Sequence, residues 1–286
     1  MALKKSIVFC PVLILFGLST PAAPYSEYED EITQILSQRV PEQEIVRLRT
    51  PGSEFITLYR KASLIHVRGA AIIIHPLGAH PDWPEVIAPM RTRLPDAGWA
   101  TLSLQMPILP PGTPLSDYGG TITESSNRLT AAVRYLKEQQ FINIIIIGYG
   151  FGAAVGAEFL ATNPGHKVDA FIGISMQSHD FLNPRLRLLD DLEIIGIPML
   201  DVYAGRDRDK VLRQIDDRRL AGKKNGRRVY DQIMIGGADH FYAGVEKGMI
   251  DQVCAWLEKS LLENLINIQV DTDFNNEFIS GEINDE

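Results

Sequence analysis

IIIIGYGFGAAVG, residues 144–156, joins an apolar run to a glycine-crowded turn and a helix start built of small residues. Four isoleucines with no polar break suit a strand buried on both faces. The turn then carries Gly148-Tyr149-Gly150-Phe151-Gly152, the G-x-S-x-G frame of a nucleophile elbow with its central residue changed. An elbow holds that residue in a strained backbone, at about 1–2 kcal/mol for any side chain with a Cβ. Glycine adopts the conformation without that cost. The turn can therefore outlive its serine, although Gly150 has nothing with which to attack a carbonyl. Gly148 and Gly152 are expected to be small because strand and helix pass close together. Ala153, Ala154 and Gly156 let the helix lie near the sheet.

Outward from this stretch, strands and helices alternate. AAIIIHP (70–76) and WATLSLQ (99–105) read as strands, with helical signals between them at 82–96. MPILPPGTPLSDYGG (106–120) is a proline- and glycine-rich loop. An amphipathic helix spans 122–140, with Leu129, Val133 and Leu136 on one side. VDAFIGIS (168–175), IPMLDVYA (197–204) and RRVYDQIMI (227–235) are three further strands with helices between and after. Upstream, 53–68 reads as two strands joined by a turn at Arg60–Ala62, and 24–52 as an N-terminal arm, helical and then polar. This order predicts a mostly parallel sheet with helices on both faces.

The 286 residues, 45% hydrophobic and 22% charged, suffice for one large domain with a sizeable core. A net charge of −8 argues against nucleic acid or an anionic membrane as a general partner. Lys4 and Lys5, an apolar stretch from Ile7 to Leu18 and then small residues read as a secretory leader over 1–23, cleaved near Ala22 or Ala23. The stretch is shorter than the ~20 residues of a membrane span, and Pro11 interrupts it. Cys10 follows Phe9 rather than a small residue, a poor lipoprotein site. Only Cys254 then remains, so no intrachain disulfide is possible. An exported chain of this kind points to a bacterial periplasm. Residues 265–286 carry acids and no base and read as a disordered tail. The domain proper is expected over 53–264.

Acyl transfer needs a carboxylate that orients an imidazole beside an alcohol. Downstream of the elbow, IPMLDVYAGRDRDKV presents Asp207, with Asp209 as second candidate, and GGADHFYAG presents His240 just after the last expected strand. Nucleophile, acid and histidine follow in the chain order of the α/β-hydrolase fold. Two of the three parts are present, in the right order. His75-Pro76-Leu77-Gly78 follows a strand where hydrolases carry H-G-x-G, so the N–H groups of Leu77 and Phe151 are the candidate oxyanion donors. Pro76 replaces the usual glycine and has no N–H.

Plainer readings stand beside these. His75 at a strand end reads as a hydrogen-bonded structural histidine. Asp207 precedes a helix and can serve as its N-cap. Trp83 and Trp99 suit core or rim packing. The basic residues flanking Asn225-Gly226 suit a solvated turn. Ser103 and Ser175, near strand ends, are conceivable substitute nucleophiles and more simply strand-end packing. Gly148 to Ala153 also satisfies G-x-G-x-x-A, the dinucleotide fingerprint, but its acid belongs near the end of the next strand, and Asp169 opens that strand.

His75–Gly78, the run HPDWPEVIAPMRTRLPDAGWATLSLQMP (80–107), the GYGFGA elbow, Asp207 and His240 together resemble a proteobacterial α/β-hydrolase-like family of unknown function. The resemblance covers roughly 40–262. It implies the hydrolase fold in an exported protein whose elbow often lacks serine, and it supplies no substrate. The stretch 176–196, where hydrolases insert a lid, is too short for a cap domain. The expectation is a non-hydrolytic protein of the periplasm with a binding or assembly role, its partner an unknown ligand or envelope protein. No cofactor and no metal are called for. The alternatives are an enzyme working through the His240/Asp207 pair without an elbow serine and, more remotely, a dinucleotide-binding protein.

Overall fold

The isoleucine run forms β5 (Ile144–Tyr149) in the middle of an eight-stranded sheet. The computed structural model describes residues 26–179, 182, 186–224 and 229–261. The expected leader, the Asn225-Gly226 turn and the acidic tail lie outside those residues. The other strands are β1 (Ile45–Arg49), β2 (Glu54–Arg60), β3 (Gly69–Ile74), β4 (Trp99–Leu104), β6 (Ala170–Ile174), β7 (Met199–Arg206) and β8 (Tyr230–Asp239). They lie in the order β1-β2-β4-β3-β5-β6-β7-β8. The β1–β2 and β2–β4 pairs are antiparallel, and all pairs from β4 to β8 are parallel.

The helices are α1 (Ser26–Arg39), α2 (Ile87–Arg93), α3 (Ile122–Glu138), α4 (Phe151–Thr162), α5 (Leu188–Ile194), α6 (Asp209–Arg213), α7 (Ile215–Lys223) and α8 over 246–261. Successive strand residues point to opposite faces. Ile72, Ile74, Ile144 and Ile146 meet Leu129, Val133 and Leu136 of α3 and the alanines of α4. Ile73, Ile145 and Ile147 meet Ile87 and Met90 of α2 and Met249, Val253 and Leu257 of α8. Both faces are covered, which is why the central strands have no polar position to spare.

The first hairpin differs from the expectation. Its strands are β1 and β2, joined by a turn in which the Thr50 N–H donates to the Ser53 carbonyl at 2.9 Å. Pro51-Gly52 at its centre is a turn signal; the apolar side chains of Leu64, Ile65 and Val67 hid it by suggesting a strand. Those three are exposed, Ile65 almost completely. The sheet thus begins at Ile45, inside the expected arm. The arm's helix is also anchored. Glu29 of α1 accepts from Arg128 of α3 at 2.9 Å and from the Ile108 N–H at 3.0 Å. Leu36 and Val40 are buried.

Asp191 of α5 is buried. Burial, reinforced by the charges of Glu158 and Asp190, lifts its carboxyl from 3.8 to about 7. A carboxyl raised on folding contributes stability below its unfolded pKa and loses it as pH rises through the folded one. Asp191→Asn is therefore expected to stabilise the fold by about 2 kcal/mol at pH 8 and to change it little near pH 4. Urea unfolding at the two pH values measures the difference.

Candidate functional site

The β5–α4 turn has the geometry of an elbow. Gly150 has φ +56° and ψ −116° and caps α4. Its N–H donates to the Ile174 carbonyl at 2.9 Å, tying the turn to the end of β6. The three glycines of the frame have different reasons to be there. A Cβ on Gly148 would lie 2.5 Å from the Cα of Ala153, and one on Gly152 would lie 2.5 Å from the carbonyl oxygens of Ile74 and His75. Those positions forbid a side chain. A Cβ on Gly150 would meet only the Cβ of Pro76, at 3.5 Å, an ordinary contact. Space at 150 would admit a serine; only the backbone conformation favours glycine.

Strand pairing brings the acid and the imidazole together. Arg206 of β7 lies opposite Asp239 of β8, so the next residues on each strand, Asp207 and His240, leave the sheet side by side. The Nδ1 of His240 lies 2.7 Å from Oδ1 of Asp207. That oxygen also accepts from the Arg208 N–H at 2.8 Å. Oδ2 accepts from the Ser175 hydroxyl at 2.5 Å and the Ala204 N–H at 3.1 Å. Burial pushes the carboxyl up, but the hydrogen bonds from His240, Ser175, Ala204 and Arg208 outweigh it and hold it below its ordinary value. An ionised Asp207 is an acceptor only, so Nδ1 carries the proton and Nε2 is left for the cavity. The Tyr149 hydroxyl donates to the His240 carbonyl at 2.7 Å, fixing the loop. Asp209 does not compete: it opens α6, is exposed and lies 3.9 Å from Arg213. The cap of α6 is Arg208, so Asp207 is not itself the N-cap.

Across the turn, Pro76–Ala79 closes with the Ala79 N–H donating to the Pro76 carbonyl at 3.1 Å, and Gly78 sits at φ +76°. That is a type II turn, with glycine where φ must be positive. His75 stays out of it. Its Nδ1 lies 2.8 Å from the Pro76 carbonyl and its Nε2 accepts the Met106 N–H at 3.0 Å. Burial lowers its pKa to about 3, so it is a neutral, structural histidine. Leu77 and Phe151 both line a cavity of about 310 Å³ with Gly150 and His240. Among the described residues nothing accepts from either backbone N–H.

The cavity's roof comes from Leu115 of the 106–120 loop and from Gln177 and His179 of the stretch after β6. Trp83, Phe241 and Arg208 complete the wall. Among its described lining residues there is no Ser, Thr or Cys. Ser103 is buried and donates to the Pro81 carbonyl at 2.7 Å. Ser175 is also buried, bound to Asp207 and 2.9 Å from the Tyr242 hydroxyl. Neither serine is placed to be a nucleophile. Ser175 instead supports the acid, a part that sequence reasoning missed because its partner lies 32 residues on. Asp169 accepts the Ile144 N–H at 2.8 Å, at the opposite end of β5 from the elbow, and is not placed to hold a ribose.

The sequence matches the family described as "Protein of unknown function (DUF3530)" over residues 17–125 and 121–259. No curated protein matches it. Among solved structures it is similar to Est1E from Butyrivibrio proteoclasticus, 15% identical with a TM-score of 0.62, covering 77% of this chain and 99% of that one. It is likewise similar to an α/β serine hydrolase homologue from Coxiella burnetii (19%, TM-score 0.58, 76% and 99% covered). Dienelactone hydrolase from Anabaena variabilis is 17% identical, with a TM-score of 0.60 and 76% and 96% covered. At such identities the likeness establishes the α/β-hydrolase fold, here without a large cap.

Proposed function

We infer that this chain, which belongs to the DUF3530 family of proteins of unknown function, binds a ligand in a hydrolase-type cavity without cleaving it. One observation carries the reading: Gly150 occupies the nucleophile position of an elbow whose Asp207–His240 pair is in place. With no alcohol among the described residues of the wall, the imidazole has no proton to take there from an attacking oxygen of the protein. What remains is a pocket lined by Leu77 and Phe151, whose N–H groups have no acceptor among the described residues, with an oriented histidine and aromatic sides. We place this binding or assembly role in the bacterial periplasm on the strength of the leader-like residues 1–23. N-terminal sequencing of the exported protein is expected to find cleavage after Ala22 or Ala23.

The test of the main reading is direct. A fluorophosphonate probe is expected to leave the purified mature protein unlabelled. Labelling of any serine, abolished by His240→Ala, overturns the inference. A second reading has one observation in its favour: His240 lines a cavity while its Nδ1 is held by Asp207, so the pair could act as general base on water. Turnover of esters, thioesters or peptides that vanishes in both His240→Ala and Asp207→Ala would put catalysis in place of binding.

A further inference from the structure

Asp207 and His240 leave part of the cavity's charge pattern unused. Arg208 is exposed on its wall, and among the described residues no carboxylate pairs with it. At the Tyr149 hydroxyl, which is bound to the His240 loop, the charge of Arg208 opposes those of Asp207, Glu85 and Asp239. No Asp or Glu is among the described lining residues. Instead the lining includes Arg208, His240, Leu77 and Phe151, the last at the start of the 12-residue helix α4. A helix start of this kind favours negative charge. Gly150 adds an open space: where a serine would stand, nothing but the Cβ of Pro76 comes within 4 Å of an added Cβ.

We propose that this cavity receives the carboxyl group of a small organic acid with an apolar body. One oxygen lies between the N–H groups of Leu77 and Phe151, the other fills the space left at Gly150 and faces Nε2 of His240, and Arg208 supplies the counter-charge. The inference rests on the reading that the site binds without cutting. A hydrolytic intermediate would place an oxyanion and a serine oxygen on one carbon. A carboxyl group also has two oxygens on one carbon, so it fills both places with no bond to the protein. Nδ1 keeps its proton in the hydrogen bond to Asp207, so Nε2 is an acceptor, and the acid's own proton lies between Nε2 and the second oxygen. Trp83, Leu115 and Phe241 meet the body of the acid. A cavity of about 310 Å³ stands at the low end of the ~300–1,000 Å³ of small-molecule sites, which selects a compact ligand.

The experiment compares 2-naphthoate with its uncharged amide by titration calorimetry on the full mature chain, with Trp83 fluorescence as a second readout. The acid is expected to bind saturably, at least tenfold tighter than the amide. Arg208→Gln, an exposed substitution that leaves the fold alone, is expected to weaken the acid at least tenfold and the amide less than twofold. Gly150→Ala fills the second oxygen's place and is expected to weaken the acid further. Equal affinity for acid and amide, no saturable binding below 1 mM, or an acid affinity indifferent to Arg208→Gln overturns the proposal. A short peptide ending in phenylalanine runs beside them; its binding tighter than naphthoate would overturn the assignment to a free acid. None of these failures would create fluorophosphonate labelling, so the carboxylate assignment can fall while the non-hydrolytic reading stands.

Discussion

Gly150→Ser is expected to fold and to become labelled by a fluorophosphonate at position 150, where the parent protein is not. The added Cβ has an ordinary 3.5 Å contact with Pro76 to accommodate, so the cost is conformational, about 1–2 kcal/mol for a side chain at positive φ. The hydroxyl would stand in a cavity whose wall already contains the imidazole, and Asp207 already holds Nδ1 at 2.7 Å. Labelling is expected to disappear when His240→Ala is added, since the hydroxyl is then without its base. Weak turnover of small esters should accompany labelling, because Leu77 and Phe151 still offer N–H donors to an oxyanion. A folded, unlabelled variant would show that His240 does not reach the elbow. Unfolding would show that the turn has closed around glycine.

Asp201→Ala is expected to destabilise the fold by about 3–5 kcal/mol, because it strands a buried guanidinium. Arg218 of α7 is fully buried and donates to Asp201 through Nε at 2.8 Å. The same carboxylate oxygen accepts from the Tyr230 hydroxyl at 3.0 Å and from Gln232 at 2.9 Å. Arg218 also donates to the carbonyls of Met176 and Val211. Met176 follows Ser175, and Val211 lies four residues past Asp207, so the pair secures both approaches to the acid. Urea unfolding measures the loss. Replacing both partners by apolar residues, Asp201→Leu with Arg218→Met, should recover most of it, since no charge is then left unpaired. A loss under ~1 kcal/mol in the single variant, typical of an exposed pair, would contradict the buried arrangement.

The legible parts of the chain were those whose residues report on their own surroundings. Ile144–Ile147 can be nothing but a strand covered on both faces, and they lie at the centre of the sheet. Gly148 and Gly152 announce a close approach, which the 2.5 Å separations explain. Leu129, Val133 and Leu136 mark the buried side of α3. The first hairpin was misread because exposed apolar residues at 64–67 imitate a strand, while β1 mixes arginines with its apolar residues. Its true signal was the Pro51-Gly52 turn. The supports of the site were harder to see. Ser175 and Tyr149 act through partners brought close by sheet order, and Arg208 comes to the cavity wall at the end of β7.

By itself, then, the sequence determined the strand–turn–helix at 144–156, the alternation that builds a doubly covered sheet, and the absence of a hydroxyl at position 150. Each is a property of composition or of spacing within a few residues, where backbone sterics and hydrophobic periodicity act. Only the tertiary structure decided that Asp207 rather than Asp209 meets His240, that Ser175 serves the acid, and that His75 is buried and neutral. It alone decided that Arg208 faces a cavity beside Gly150. Those outcomes depend on which strand lies beside which, and pairing between strands tens of residues apart is set by the packing of the whole sheet.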